Sequence, residues 1–256
     1  MPVRDDTMAG EALIAVFIDF ENLALGVKDV PGGDFDMSLV HKRVLEKGRL
    51  VFKRAYCDWG RYRDQMRSFH AMGIEMIDIP QTRISGKNSA DIRMVVDALD
   101  LCYAKGHIDT FVLVSGDSDF SPLVSKLKEN DKRVIGCGVK SSTSELLVAN
   151  CDEFIYYDDL VRKSGKARKR KAEGGRQDKG AEAREKLVEI VSSLESDYDP
   201  VWGSLVKQTI KRVYPGFNES YYGFKSFTDL LQAAEQHAQI TLEYDAERGN
   251  YKVAVA

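Results

Sequence analysis

A chain of 256 residues, 43% hydrophobic and 30% charged, can bury one sizeable core and a smaller second one, and no apolar run approaches the roughly 20 residues of a membrane helix. The four cysteines and four histidines are scattered, with no CxxC and no Cys/His cluster, which argues against a zinc site, a disulfide framework and His-based nucleophilic chemistry. Of the 37 basic and 40 acidic residues, nine and two fall between Arg162 and Gly180, so the net charge of −3 hides one basic segment in a chain otherwise holding 28 basic and 38 acidic residues.

The opening MPVRDDTMAGE has no signal-peptide build, and the expectation is a cytoplasmic protein with no membrane part. From there to Leu160, apolar runs of strand length alternate with helical patterns. Strands are predicted at Leu13 to Asp19, Leu50 to Cys57, Ile74 to Ile79, Thr110 to Ser115, Arg133 to Gly138 and Glu153 to Tyr156. Helices are predicted at Met37 to Lys47, Arg61 to Met72, Ala90 to Ala104, Ser121 to Asn130 and Ser142 to Val148. Runs such as IAVFI and FVLV are apolar at every position, which means burial on both faces and hence a parallel sheet with helices on each side, an α/β fold.

The segment RKSGKARKRKAEGG, with Lys169, Arg170 and Lys171 at its centre, has no apolar periodicity and reads as a flexible basic linker spanning 162–180. It carries enough charge to attract a polyanion by counterion release. Beyond it, AREKLVEIVSSLESD, WGSLVKQTIKRVYPGF and FKSFTDLLQAAEQHA read as three helices, and ITLEYDAERGNYKVAVA as a hairpin. That order is the order of a winged helix. The expected organisation is thus 11–161, a linker at 162–180, and a small domain at 181–256.

In open parallel sheets, ligands bind beyond the carboxyl ends of the strands where strand order reverses. With order 3-2-1-4-5 the reversal falls between the first and fourth strands. Asp19 ends the first strand, with Asn22 three residues on; Asp117 and Asp119 follow the fourth, just after Ser115; Asp91 opens the next helix after a loop holding Arg83 and Lys87. Carboxylates converging in a small volume repel one another unless a cation sits among them. Oxygen donors without His or Cys suit Mg²⁺ or Mn²⁺, which can polarise a phosphodiester and activate water. The bland reading is that each Asp caps a helix or serves a turn. Asp97 and Asp100, inside a helix, are read as helix-pairing or solvated positions.

The residues FIDFENL, KNSAD, VSGDSDFSPLV and SSTSELLVANCDEFIYYDDL give the stretch from Leu13 to Leu160 a resemblance to the NYN domain, a branch of the PIN-like, metal-dependent nucleases. The resemblance implies a Rossmann-like sheet and cleavage of RNA with Mg²⁺ or Mn²⁺. Carried over by position, it makes Asp19, Asp91, Asp117 and Asp119 the catalytic and metal-holding set, with Asn22, Ser115 and Lys87 in support. The run PGFNESYYGFKSFTDLL resembles an OST-HTH, or LOTUS, domain, which implies RNA binding or recruitment of a protein partner.

Ser142 to Glu145 fits a capping box, and Ser142 and Thr143 could also meet a backbone phosphate. Arg83 and Lys87 are exposed loop charges that could clamp phosphate. Tyr214, Phe217, Phe224 and Phe227 are spaced as core residues, whereas Tyr221, Tyr222 and Lys225 are read as a surface that stacks bases and meets phosphate, extended by Lys207, Lys211 and Arg212.

The leading expectation is a metal-dependent ribonuclease with a C-terminal RNA-binding module. The alternative is a non-catalytic RNA-binding regulator built on the same two domains. A small-molecule phosphatase ranks last, because it leaves the basic linker and winged helix without a task. DNA stays open as a substrate.

Overall fold

The computed structural model describes residues 11–27, 35–80, 89–162, 164 and 179–256. The chain divides into two compact units, Met1–Ala167 and Arg168–Ala256. The N-terminal unit runs β1 (Leu13–Asp19), α1 (Phe20–Gly26), α2 (Met37–Lys47), β2 (Arg49–Cys57), α3 (Arg63–Ala71), β3 (Glu75–Asp78), α4 (Ser89–Ala104), β4 (Thr110–Val114), α5 (Ser121–Glu129), β5 (Arg133–Gly138), α6 (Glu145–Asn150), β6 (Glu153–Tyr156) and a helical stretch, α7, at 157–162. Short 3₁₀ turns precede α3, α5 and α6 at Trp59–Arg61, Ser118–Phe120 and Lys140–Ser142.

All five strand pairings are parallel, and the order is β3-β2-β1-β4-β5-β6. The period-two alternation of side chains divides each central strand between two cores. Ile14, Val16 and Ile18 of β1, with Val112 and Val114 of β4, pack under α1, α2 and α3. Ala15 and Phe17, with Phe111 and Leu113, pack under α4 and α5, where the rings of Phe17 and Phe111 stack 6.1 Å apart. Being buried on both faces, β1 from Ile14 and β4 from Phe111 carry apolar side chains at every position up to Ile18 and Val114. The first polar side chains beyond those runs are Asp19 and Ser115.

The C-terminal unit consists of α8 (Lys179–Leu194), α9 (Gly203–Val213), a 3₁₀ turn at Glu219–Tyr222, α10 (Phe227–Gln236) and the antiparallel pair β7 (Ile240–Asp245) and β8 (Asn250–Val255). Leu187, Ile190 and Val191 of α8, Val206 and Ile210 of α9, and Leu230 and Leu231 of α10 form its core with Val253. Trp202 bridges to Lys252 and gives the hairpin a third, one-residue partner. Gly249 takes φ +59 in the hairpin turn, a left-handed conformation that suits glycine.

Three local expectations are corrected. The residues after Asp19 form a helix, α1, rather than a turn. The helix expected from Ser142 is a 3₁₀ turn followed by α6, and its capping hydroxyl is that of Ser144, which accepts from the Leu146 N–H at 3.2 Å. Tyr222 is a core residue, not a surface one: it is buried, its ring lies 5.1 Å from that of Phe217, and its hydroxyl accepts from Lys186 Nζ at 2.7 Å.

Candidate active site

The sheet order reverses between β1 and β4, and their register aligns Ile18 with Val114. Asp19 therefore leaves its strand beside Ser115. Asp19 is the N-cap of α1: Oδ1 accepts from the Asn22 N–H at 3.2 Å, and Oδ2 accepts from Ser115 Oγ at 2.9 Å. The Ser115 oxygen in turn accepts from the Asp117 N–H at 3.2 Å. Asn22 Oδ1 closes the loop by accepting from the Gly116 N–H at 2.9 Å. Two of these contacts, Ser115 to Asp19 and Gly116 to Asn22, tie the start of α1 to the turn after β4, and the other two brace each side locally.

Asp117 caps the 3₁₀ turn, its Oδ1 accepting from the Asp119 N–H at 2.9 Å. The N-cap position of α5 itself is Phe120, and no side chain caps that helix. Asp91 lies in the first turn of α4. Its carboxyl is raised above the ordinary range, first by burial and then by the charges of Asp117, Asp119 and Glu21. Asp19 is only 7% exposed and its pKa is raised to about 7. Burial is the main cause and the Asp91 charge the next; the Asn22 N–H and Ser115 hydroxyl oppose the rise, and Asp117 adds to it. Asp91 is therefore within electrostatic reach of Asp19, Asp117 and Asp119, and Asp19 of Asp117, so acids from three separate stretches of chain are linked. Glu21, which the sequence reading passed over, joins them; its place inside FENL, one residue before Asn22, was the available signal.

Gly116 sits where only a glycine fits. A Cβ there would stand 2.6 Å from the Ser142 carbonyl oxygen and 2.9 Å from Thr143 Cα, both backbone atoms. The Gly116 carbonyl accepts from the Ser144 N–H at 2.9 Å, and Thr143 Oγ1 donates to the Val139 carbonyl at 2.6 Å. The segment at 140–144 is packed against the acid-bearing turn, with the Thr143 hydroxyl committed to that packing.

The remaining sequence-derived residues divide clearly. Arg83, Lys87, Lys169, Arg170 and Lys171 lie outside the described residues. Tyr221 is 62% exposed with Lys179 Nζ 4.3 Å from its ring centroid, and Lys225 is exposed. Asp97 is held by Arg54 at 2.8 Å, Tyr56 at 2.9 Å and Arg93 at 3.0 Å, so it serves the fold.

The acid group offers hard oxygen donors with neither His nor Cys among them, and its mutual repulsion is the kind a divalent cation relieves. Among the described residues no three His, Cys, Asp or Glu side chains form a ready metal-holding group. Mg²⁺ ordinarily takes one or two carboxylates and fills its shell with water and substrate phosphate. The donor set fits that kind of ion, not one that needs a full protein cage.

Residues 13–158 match the NYN domain family, and residues 181–241 match the OST-HTH/LOTUS domain. An uncharacterized protein of Methanocaldococcus jannaschii, MJ0482, is 29% identical over 146 residues; the match covers 57% of this chain and 55% of that protein, so the chain spans about half the length of this curated relative. The crystal structure of VPA0982, a protein of unknown function from Vibrio parahaemolyticus, superposes with a TM-score of 0.52 at 25% identity, over 60% of this chain and 98% of that one.

Proposed function

This chain belongs to the NYN domain family, part of the PIN-like nuclease superfamily, and we propose that it is a divalent-metal-dependent ribonuclease whose OST-HTH module binds RNA. The observation that carries the proposal is the junction of Asp19, Ser115 and Asp117 at the point of strand-order reversal. A buried carboxyl with a pKa near 7 beside Asp91 and Asp117 is costly to maintain as a structural cap. It is well suited to exchange its proton for a cation.

In this reading Asp19, Asp91, Asp117 and Asp119 hold Mg²⁺ or Mn²⁺ or its waters. The ion supplies Lewis-acid polarisation of the scissile phosphate and charge for the leaving oxygen. Ser115 aims the Asp19 carboxylate, and Asn22 keeps α1 and the Gly116 turn in register. Asp91 brings negative charge from α4. Tyr221, beside Lys179, is the exposed aromatic of the C-terminal unit best placed to stack a base. The boundaries 11–161 and 181–256 follow as the proposed catalytic and binding domains. Among the described residues no helix is long and apolar enough to cross a membrane.

The test is incubation of labelled single-stranded RNA and DNA with the full chain, with and without Mn²⁺, comparing wild type with Asp117→Asn. Metal-dependent RNA products that vanish in the variant support the proposal. RNA held but left intact would replace it with the binding-only reading, and equal cutting by the variant would remove the acid group from the chemistry.

A further inference from the structure

Between α3 and the edge strand β3 lies a cleft of about 470 Å³ whose lining shares no residue with the acid group. Its wall is one face of α3, where Arg63, Met66 and His70 recur at helical spacing. Met76 of β3 and Asp78 at the end of that strand form the opposite side.

Trp59 closes the bottom. It is 3% exposed and locked in place, its backbone N–H donating to Asp78 Oδ1 at 3.0 Å and its indole N–H to the Ile77 carbonyl at 3.1 Å. Its ring packs 5.4 Å from that of Phe20, the residue next to Asp19. The register pairs Asp19 with Tyr56 and Cys57 with Asp78. The cleft thus lies two strands from Asp19, about 10 Å at ordinary strand spacing.

The chemistry of the lining is specific. Arg63 and His70 are exposed and make no ion pair or side-chain hydrogen bond among the described residues, so two potential cations stand uncommitted at the rim. Met66 and Met76, both partly buried, offer polarizable thioethers to a flat ring. Asp78 has a second carboxylate oxygen with no hydrogen bond among the described residues, an acceptor for a ring N–H. The volume falls in the usual range for small-molecule sites.

We propose that this cleft is a base-binding subsite, receiving a nucleotide of single-stranded RNA one or two positions from the phosphate at the acid group. The ring lies between the methionines, Asp78 accepts from its polar edge, and Arg63 with His70 meets the adjoining phosphate. The assignment rests on the ribonuclease reading for its choice of polymer.

The test uses the full chain with ¹³C-methyl methionine in the presence of EDTA, so that binding is read without turnover. Hexauridylate, uridine 5′-monophosphate and inorganic phosphate are titrated separately. The Met66 and Met76 methyl signals are expected to shift saturably with the oligonucleotide and more weakly with the mononucleotide, while those of the core residues Met37 and Met94 stay fixed. Arg63→Ala should weaken the response of Met66 and Met76 about tenfold, the scale of one lost charge-assisted hydrogen bond. If Met66 and Met76 ignore the oligonucleotide, or move as much with phosphate alone, the subsite is refuted. A protein that cuts RNA but shows no such shifts keeps the ribonuclease and loses the cleft; shifts without cutting do the reverse.

Discussion

Ser115 Oγ donates to Asp19 Oδ2 at 2.9 Å across 96 positions of sequence, and the same oxygen accepts from the Asp117 N–H at 3.2 Å. One hydroxyl therefore aligns a buried carboxylate on β1 with the acidic turn after β4. Ser115→Ala removes both contacts at once. It is expected to cost about 1–2 kcal/mol of stability and to raise the Asp19 pKa further, since this hydrogen bond holds it down. Urea unfolding and carboxyl ¹³C titration measure the two effects; an unchanged Asp19 titration would show that the serine has no hold on the acid.

The Asp19 carboxyl rises from 3.8 to about 7 on folding, so the folded chain holds that proton more tightly than the unfolded one. The favourable linkage is present in full below 3.8 and is lost as pH climbs toward about 7. Relative to Asp19→Asn, wild-type stability should fall across that window by at most about 4 kcal/mol, from about 1.4 kcal/mol per pH unit. Denaturation curves for both proteins between these limits check the slope. Divalent-ion affinity should strengthen over the same interval, with proton release measurable by calorimetry in buffers of different ionisation heat.

Gly116→Ala places a Cβ 2.6 Å from the Ser142 carbonyl oxygen. Backbone cannot yield as a side chain can, so the segment at 140–144 must move, at about 1–3 kcal/mol. A melting temperature equal to wild type would mean that this packing is looser than the contacts indicate.

Tyr221 and Tyr222 are adjacent and face opposite fates. Tyr221→Ala should leave unfolding unchanged and weaken single-stranded RNA binding by about 1–3 kcal/mol, the worth of one stacked base. Tyr222→Ala empties a core position and breaks the Lys186 contact, costing about 3 kcal/mol of stability. Filter binding and thermal melts on the two variants separate these roles.

Much of the architecture was legible locally. IAVFI and FVLV announce strands buried on both faces, and the strand positions read from them match β1 and β4 to within a residue. The match of residues 13–158 to the NYN family agrees with the motifs FIDFENL and SGDSDF. Finer features escaped because they depend on competition between neighbours. Ser142 and Ser144 are both acceptable caps, and the 3₁₀ turn at Lys140–Ser142 leaves the task to Ser144. Tyr222 shares its polar, aromatic surroundings with Tyr221, and only the turn that carries both decides which ring meets Phe217. Glu21 carried no periodic signal and matters through its field on Asp91.

The amino-acid sequence by itself determined the positions of β1 and β4 and that their apolar runs give way to Asp19 and Ser115, because burial on two faces selects an unbroken apolar run. The tertiary structure alone decided that Asp19 meets Ser115 and feels Asp91 and Asp117, because desolvation and through-space charge depend on the order in which strands lie side by side. Local sequence carries no record of that distance.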